Sequence, residues 1–191
     1  MKRQSSQELA PDVAVAGVDR AGTASPALAG AATEPFDAFY RREFTHLLVL
    51  ARALVGAAYA EDVAQESMLV AYRRWSTIGG LRSPAGYVRG ICLHKAVSVV
   101  RRRKVEQQVL GRLAPSAPPT DGLPPDSERF WAEVRLLPRR QAQVVALHYA
   151  LDLAVADVAE VLECAEGTVK VHLHRARATL STRLRGEEEG R

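Results

Sequence analysis

Hydrophobic positions along this chain recur at intervals of three and four residues, and almost nowhere at intervals of two. From Phe36 to about Gly56 the residues Phe36, Phe39, Tyr40, Phe44, Leu47, Leu48, Leu50, Ala51, Leu54 and Val55 keep that spacing, which predicts an amphipathic helix. A second helix is expected from about Ala60 to Trp75. Its inner face would be Val63, Met68, Leu69 and Tyr72, and its outer face Glu61, Asp62, Gln65 and Glu66. Ile78-Gly79-Gly80-Leu81 interrupts the pattern, and Ser83-Pro84 restarts it. Serine can cap the unpaired amides of a helix start, and proline is tolerated at the first helical position. The restarted helix carries Tyr87, Val88, Ile91, Leu93 and Val97 into the basic run Arg101 to Lys104. A second helical block begins near Asp126 to Phe130 and restarts at Pro138 through Val144, Val145, Leu147 and Tyr149. With no convincing strand-like alternation, the pattern predicts an all-α protein.

The segments without a period divide the chain. Residues 1–33 are rich in Ala, Ser, Gly and Pro and read as a disordered leader. Gly111 to Ser127 contains Pro115, Pro118, Pro119, Pro124 and Pro125 and reads as a flexible, extended linker. Two small helical domains are therefore expected, at 34–110 and 128–185, with an acidic tail at 186–191.

The stretch from Leu153 to Leu184 carries the sharpest functional signal. A short helix is expected with Val155, Val158, Ala159 and Leu162 inward, then a turn at Glu163-Cys164-Ala165, then a longer basic helix. Val169, Leu173, Ala176 and Leu180 would face the core, with small Ala159 allowing close approach. Thr168, Lys170, Val171, His172, His174, Arg175 and Arg177 remain for solvent or DNA. This is the pattern of a helix-turn-helix whose second helix enters the major groove, reading base edges near its N-terminus and holding phosphates with cations. A basic amphipathic helix with a merely solvated face is the plainer alternative.

Charge and composition sharpen this modestly. The 191 residues carry a formal net charge of +4, 47% hydrophobic and 25% charged residues, which suits a globular protein and permits nucleic-acid binding. The clustering of cations at Arg101–Lys104 and along Lys170 to Arg185 is more informative than their number. Cations also complement helix C-termini, so the arginine run alone is ambiguous. Trp75 and Tyr87 lie in the same block, and unstacked single-stranded bases need aromatics with cations, although each aromatic is individually a reasonable core residue. Two cysteines, Cys92 and Cys164, suggest no disulfide framework and fit a reducing cytosol. No apolar stretch is long enough to span a bilayer, and Met1-Lys2-Arg3 is not followed by a signal-peptide core.

Catalysis finds little support. Glu61, Asp62 and Glu66 lack an accompanying nucleophile or metal-ligand set, so protein docking is the better functional reading of that acidic face. A zinc site from Cys164, His172 and His174 is conceivable, but such proximity on a DNA-facing helix is more often coincidental.

Taken together, these segments resemble an extracytoplasmic-function sigma factor, a compact member of the sigma-70 family, over about Phe36 to Leu184. FDAFYRREFTHLLVLARALVG resembles region 2.1, EDVAQESMLVAYRRW region 2.2, and LRSPAGYVRGICLHKAVSVVRRR regions 2.3 and 2.4. LLPRRQAQVVALHYALDLAVADVAEVL and GTVKVHLHRARATL resemble regions 4.1 and 4.2. The resemblance implies that Asp62, Gln65 and Glu66 dock on the clamp helices of the largest subunit of core RNA polymerase, with a further contact to the polymerase flap. It implies that Tyr87, His94, Ser98, Arg101 and Arg102 serve the minus-ten promoter element, His94 and Ser98 facing a flipped base. Thr168, Lys170, Val171, His174 and Arg175 would serve the minus-thirty-five element, with His172 and Arg177 on phosphates. An anti-sigma protein is a further partner that the family allows.

The chain departs from the family's usual pattern at Val171 and His172, which follow the GTVK lysine, at Ala165 in place of a serine cap, and at His94 in place of asparagine. Relatives' promoter sequences therefore do not transfer. The implied protein is non-catalytic, takes no cofactor or metal, does not insert in a membrane, and works in the cytoplasm, on the nucleoid when bound to polymerase. A stand-alone helix-turn-helix regulator is the alternative. Footprinting without core polymerase would favour it.

Overall fold

A computed structural model describes residues 34–109 and 125–188. The leader, most of the expected linker and the last three residues lie outside them. Among the described residues the structure is helical throughout: α1 Phe36–Val55, α2 Ala57–Arg73, α3 Trp75–Ile78, α4 Pro84–Val109, α5 Pro125–Arg135, α6 Arg139–Val145, a π-helical turn Ala146–Ala150, α7 Val155–Val161 and α8 Glu166–Glu188. The linker boundary shifts accordingly. Residues 125–127, expected as extended chain, form the first turn of α5, because Pro125 takes the first helical position, where its missing N–H costs nothing. Likewise α8 continues through 186–188, expected as tail.

α1 and α2 form an antiparallel pair hinged on Gly56 alone, at φ 81° and ψ 169°, a region essentially reserved for glycine. Along α2 the buried residues are Ala60, Val63, Ala64, Ser67, Met68 and Ala71. Leu69 and Tyr72, expected inside, are 45% and 63% exposed. Their helical phase explains the correction: at about 100° per residue they extend the stripe of Asp62, Gln65 and Glu66, on the side of the helix opposite the buried stripe that meets α1. Small residues win the inner face because they let two long helices approach closely.

α4 packs across α1 and α2. The Gly86 N–H donates to Ser83 Oγ at 3.2 Å, as the Ser-Pro start predicts. A Cβ at Gly86 would fall 2.6 Å from that Oγ and push the serine out of its capping position. Across the α1–α4 seam, Arg89 Nη2 reaches Glu43 Oε2 at 2.9 Å, and Glu43 is only 5% exposed. Trp75 belongs to the core edge rather than to a base platform. Its ring lies 4.6 Å from Phe39 and 5.4 Å from Phe36, and its Nε1 donates to Glu34 O at 2.9 Å.

The second block packs α6 and α7 on α8 through Val144, Val145, Leu147, Val158 and Leu162 against Val169, Leu173, Ala176 and Leu180, all buried. The two blocks touch: α1 meets α5 and the π-helical turn, and α4 meets α7. Arg135 Nη1 donates to Arg52 O at 3.4 Å across this junction. One hydrophobic cluster runs through both blocks. No helix of the described residues is long and apolar enough to cross a membrane.

Candidate nucleic-acid and polymerase interfaces

The helix-turn-helix is built by backbone capping rather than by side-chain caps. At the end of α7, Cys164 N donates to Ala159 O at 3.0 Å and Glu163 N to Glu160 O at 3.2 Å, the paired bonds of a Schellman motif. That motif needs a left-handed residue, and Glu163 supplies it at φ 50°. Ala165 then starts α8 through its carbonyl alone, accepting from Thr168 N at 2.9 Å.

On α8, Thr168, Lys170, Val171, His174, Arg175 and Arg177 are exposed. Helical phase separates them. Val171 and His174 lie opposite the buried Val169–Leu173–Ala176–Leu180 stripe, Lys170 and Arg177 on one flank, and Thr168 and Arg175 on the other. A helix in a major groove presents such a crest to base edges and its flanks to the phosphate walls. His172 stands apart: it is half-buried, and its Nδ1 is enclosed without a hydrogen-bond partner. Its phase, between the core stripe and the Arg175 flank, turns it toward the body rather than into a groove. Lys170 Nζ is 3.5 Å from Glu166 on the preceding turn.

On α4, Tyr87, His94, Ser98, Arg101 and Arg102 fall within about 100° of one another, one stripe along roughly 22 Å of helix. His94, Ser98, Arg101 and Arg102 are exposed and Tyr87 is half-buried. Ser98 Oγ donates to His94 O at 3.2 Å, which leaves its lone pairs outward. Arg102 lies within ion-pair reach of Glu106, at 3.6 Å, and Arg103 caps the Tyr59 ring at 4.9 Å.

Asp62, Gln65 and Glu66 share the exposed face of α2 and, with Leu69, line a shallow groove. Lys95 Nζ reaches Glu66 Oε2 at 2.7 Å from α4. A neighbouring groove between α2 and α4 is lined by Asp62, Glu66, Lys95, Ser98 and Arg102, so the acidic face and the α4 stripe share an edge. Sequence reasoning missed this contact and that of Tyr149 with Arg177, because both join residues far apart in the chain.

Among the described residues no three His, Cys, Asp or Glu side chains converge as a metal site, and Cys164, His172 and His174 do not form one. Cys92 is buried against Leu47 O, and burial pushes its thiol up to about 12.

A helix-turn-helix with a cationic outer face is the architecture of a DNA-binding protein, and residues 127–180 match the family described as sigma-70, region 4. The RNA polymerase sigma-E factor of Streptomyces coelicolor is 30% identical over 152 residues, covering 78% of this chain and 85% of that protein. The sigma-E factor of Streptomyces avermitilis is 31% identical over 159 residues, covering 82% and 86%. The ECF RNA polymerase sigma factor SigF of Caulobacter vibrioides is 30% identical over 130 residues, covering 65% and 70%. This chain belongs to the extracytoplasmic-function sigma factors of the sigma-70 family. The fold agrees: the sigma factor RpoE, solved in complex with the anti-sigma factor NepR from Bartonella quintana, superposes with a TM-score of 0.65 at 22% identity, covering 78% of this chain and 96% of that one. CnrH, solved with the cytosolic domain of CnrY, gives 0.59 at 20% identity, covering 79% and 88%. Membership sets aside the stand-alone regulator.

Proposed function

We propose that this chain is a promoter-specificity subunit, which binds core RNA polymerase and directs initiation at promoters with minus-ten and minus-thirty-five elements. It performs no catalysis itself. The observation that carries the reading is the presence, in one chain, of three distinct outward faces. These are the α8 crest with its cationic flanks, the polar and cationic stripe of α4, and the acidic face of α2. A stand-alone repressor needs only the first.

In this reading Val171 and His174 face the minus-thirty-five bases from the crest, Lys170 and Arg175 reach over to them from the flanks, and Thr168 and Arg177 hold the backbone. His172, being half-buried, supports the recognition helix from beneath. Tyr87, His94, Ser98, Arg101 and Arg102 serve the minus-ten strand, and Asp62, Gln65 and Glu66 dock on the polymerase clamp. The first block forms the polymerase-docking and minus-ten domain, the second the minus-thirty-five domain, with the segment between them as tether. The protein acts in the cytoplasm and is open to control by an anti-sigma protein. Transcription in vitro with purified core polymerase and a promoter library tests the reading. Specific initiation that requires the added protein is expected, and no initiation beside an active control sigma factor would refute it.

A further inference from the structure

Tyr149 belongs to no interface assigned above, yet it is 46% exposed and bonded to a residue that does. Arg177 Nε donates to the Tyr149 hydroxyl oxygen at 2.6 Å, and the guanidinium carbon lies 5.7 Å from the ring centroid. The π-helical turn Ala146–Ala150 brings the side chain there, and such turns re-aim one residue out of an α-helical course. The ring is held edge-on by His148 at 4.8 Å and by Phe130 at 6.5 Å. His148 is itself fixed, with its Nδ1 2.8 Å from Leu153 O. An exposed tyrosine is thus immobilised by packing from behind, and its oxygen meets the one guanidinium nitrogen that cannot join a two-pronged contact through the terminal amines.

The consequence concerns the other end of Arg177. With Nε satisfied, neither Nη group has a hydrogen-bond or ion-pair partner among the described residues, and the two project as a fork. The Tyr149 oxygen accepts from Nε and so fixes the direction in which that fork points. Arg177 lies on the same flank of α8 as Lys170, the flank that faces a phosphate wall when the crest enters a major groove. We infer that Tyr149 is a positioning residue of the DNA interface: together with Arg177 it forms a preset clamp for one backbone phosphate flanking the minus-thirty-five element. This rests on the promoter-binding reading above. A planar guanidinium held in place loses less freedom on binding a phosphate than a swinging one.

The test uses the full chain assembled with core polymerase, on a duplex promoter selected with the unmodified protein. Affinity is measured across a salt series for the unmodified chain, Tyr149→Phe, Arg177→Ala and the double variant. Tyr149→Phe keeps the ring and its packing, so unchanged thermal unfolding is expected. It should weaken promoter binding by roughly threefold to tenfold, the worth of one oriented hydrogen bond. Arg177→Ala should lower the salt-dependence slope by about 0.9, one phosphate contact. The double variant should be no weaker than Arg177→Ala alone. A Tyr149→Phe variant with unaltered affinity overturns the inference, as do losses that add in the double variant or an unchanged slope for Arg177→Ala. Failure of the unmodified chain to direct initiation overturns the promoter-binding reading, and the clamp with it.

Discussion

Replacing Glu163 by glycine should make this protein more stable, although it removes a whole side chain. Glu163 sits at φ 50° in the Schellman motif that ends α7, a conformation enforced by the bonds from Cys164 N and Glu163 N back into the helix. A residue with a Cβ is disfavoured there by roughly 1–2 kcal/mol, whereas glycine adopts it freely. Glycine also gives the unfolded chain extra freedom, which returns roughly 0.4–1 kcal/mol of that gain. The side chain is exposed and has no hydrogen-bond or ion-pair partner among the described residues. The net expectation is a stabilisation of about 1 kcal/mol, or about 3 °C in melting temperature for a body of this size. Denaturant titration of both proteins, with Glu163→Ala alongside, separates conformation from charge. Alanine removes the carboxylate but keeps the strain, so it should gain nothing. A Glu163→Gly protein no more stable than the parent, or an alanine variant gaining as much, would refute the reasoning. Asp152, at φ 51°, offers a weaker repeat. Its short side chain tolerates the left-handed region better, so Asp152→Gly should gain less than Glu163→Gly.

Further outcomes follow from the interfaces and the core. Arg89→Met removes the closest partner of buried Glu43 but leaves Arg42 Nε at 3.4 Å and His46 Nδ1 at 3.5 Å, and should cost about 1–3 kcal/mol, measured by denaturant unfolding, whereas an exposed pair such as Lys170–Glu166 should contribute under about 1 kcal/mol. Lys170→Ala with Arg175→Ala should abolish dependence on the minus-thirty-five element, and Asp62→Lys with Glu66→Lys should weaken core-polymerase binding while melting stays unchanged. Unaltered promoter choice or core affinity would reject these assignments. Cys164 should react with a thiol reagent near pH 8 while Cys92 stays protected until the protein unfolds. Because burial raises the Cys92 thiol from 9.0 to about 12, the folded state keeps a proton that the unfolded state releases. Its contribution to stability is therefore intact below pH 9 and falls as pH climbs toward 12, and Cys92→Ala should flatten that part of the curve.

Much of the fold was legible because it rests on local rules. The bounds of α1, the Ser83 cap and the four buried positions of α8 all follow from periodicity and capping chemistry. The misread positions share a cause. Leu69 and Tyr72 are apolar but lie in phase with the acidic stripe, and only the choice of small residues for the α1–α2 seam reveals which face is inside. His172 is polar, yet its phase turns it toward the body. The π-helical turn leaves no compositional trace, and neither Asp152 nor Glu163 signals left-handed backbone as glycine would have done. The candidate interfaces were visible as sets of residues, but the contacts joining Lys95 to Glu66 and Tyr149 to Arg177 depend on tertiary packing that no local rule encodes.

On the proposed minus-ten role, α4 would also work as a ruler. It runs 26 residues without a break, about 39 Å, and its polar stripe steps from Tyr87 to Arg101 by seven, four and three residues, with Arg102 next to the last. At about 3.4 Å per phosphate, roughly 22 Å of that rod spans six or seven nucleotides of a strand laid along it. The side chains are then ticks at fixed intervals, and the composition of each matters less than the count between them. Inserting one alanine between His94 and Ser98 would leave every side chain present and the helix intact. It would nonetheless swing Ser98, Arg101 and Arg102 about 100° around the axis, out of line with Tyr87 and His94.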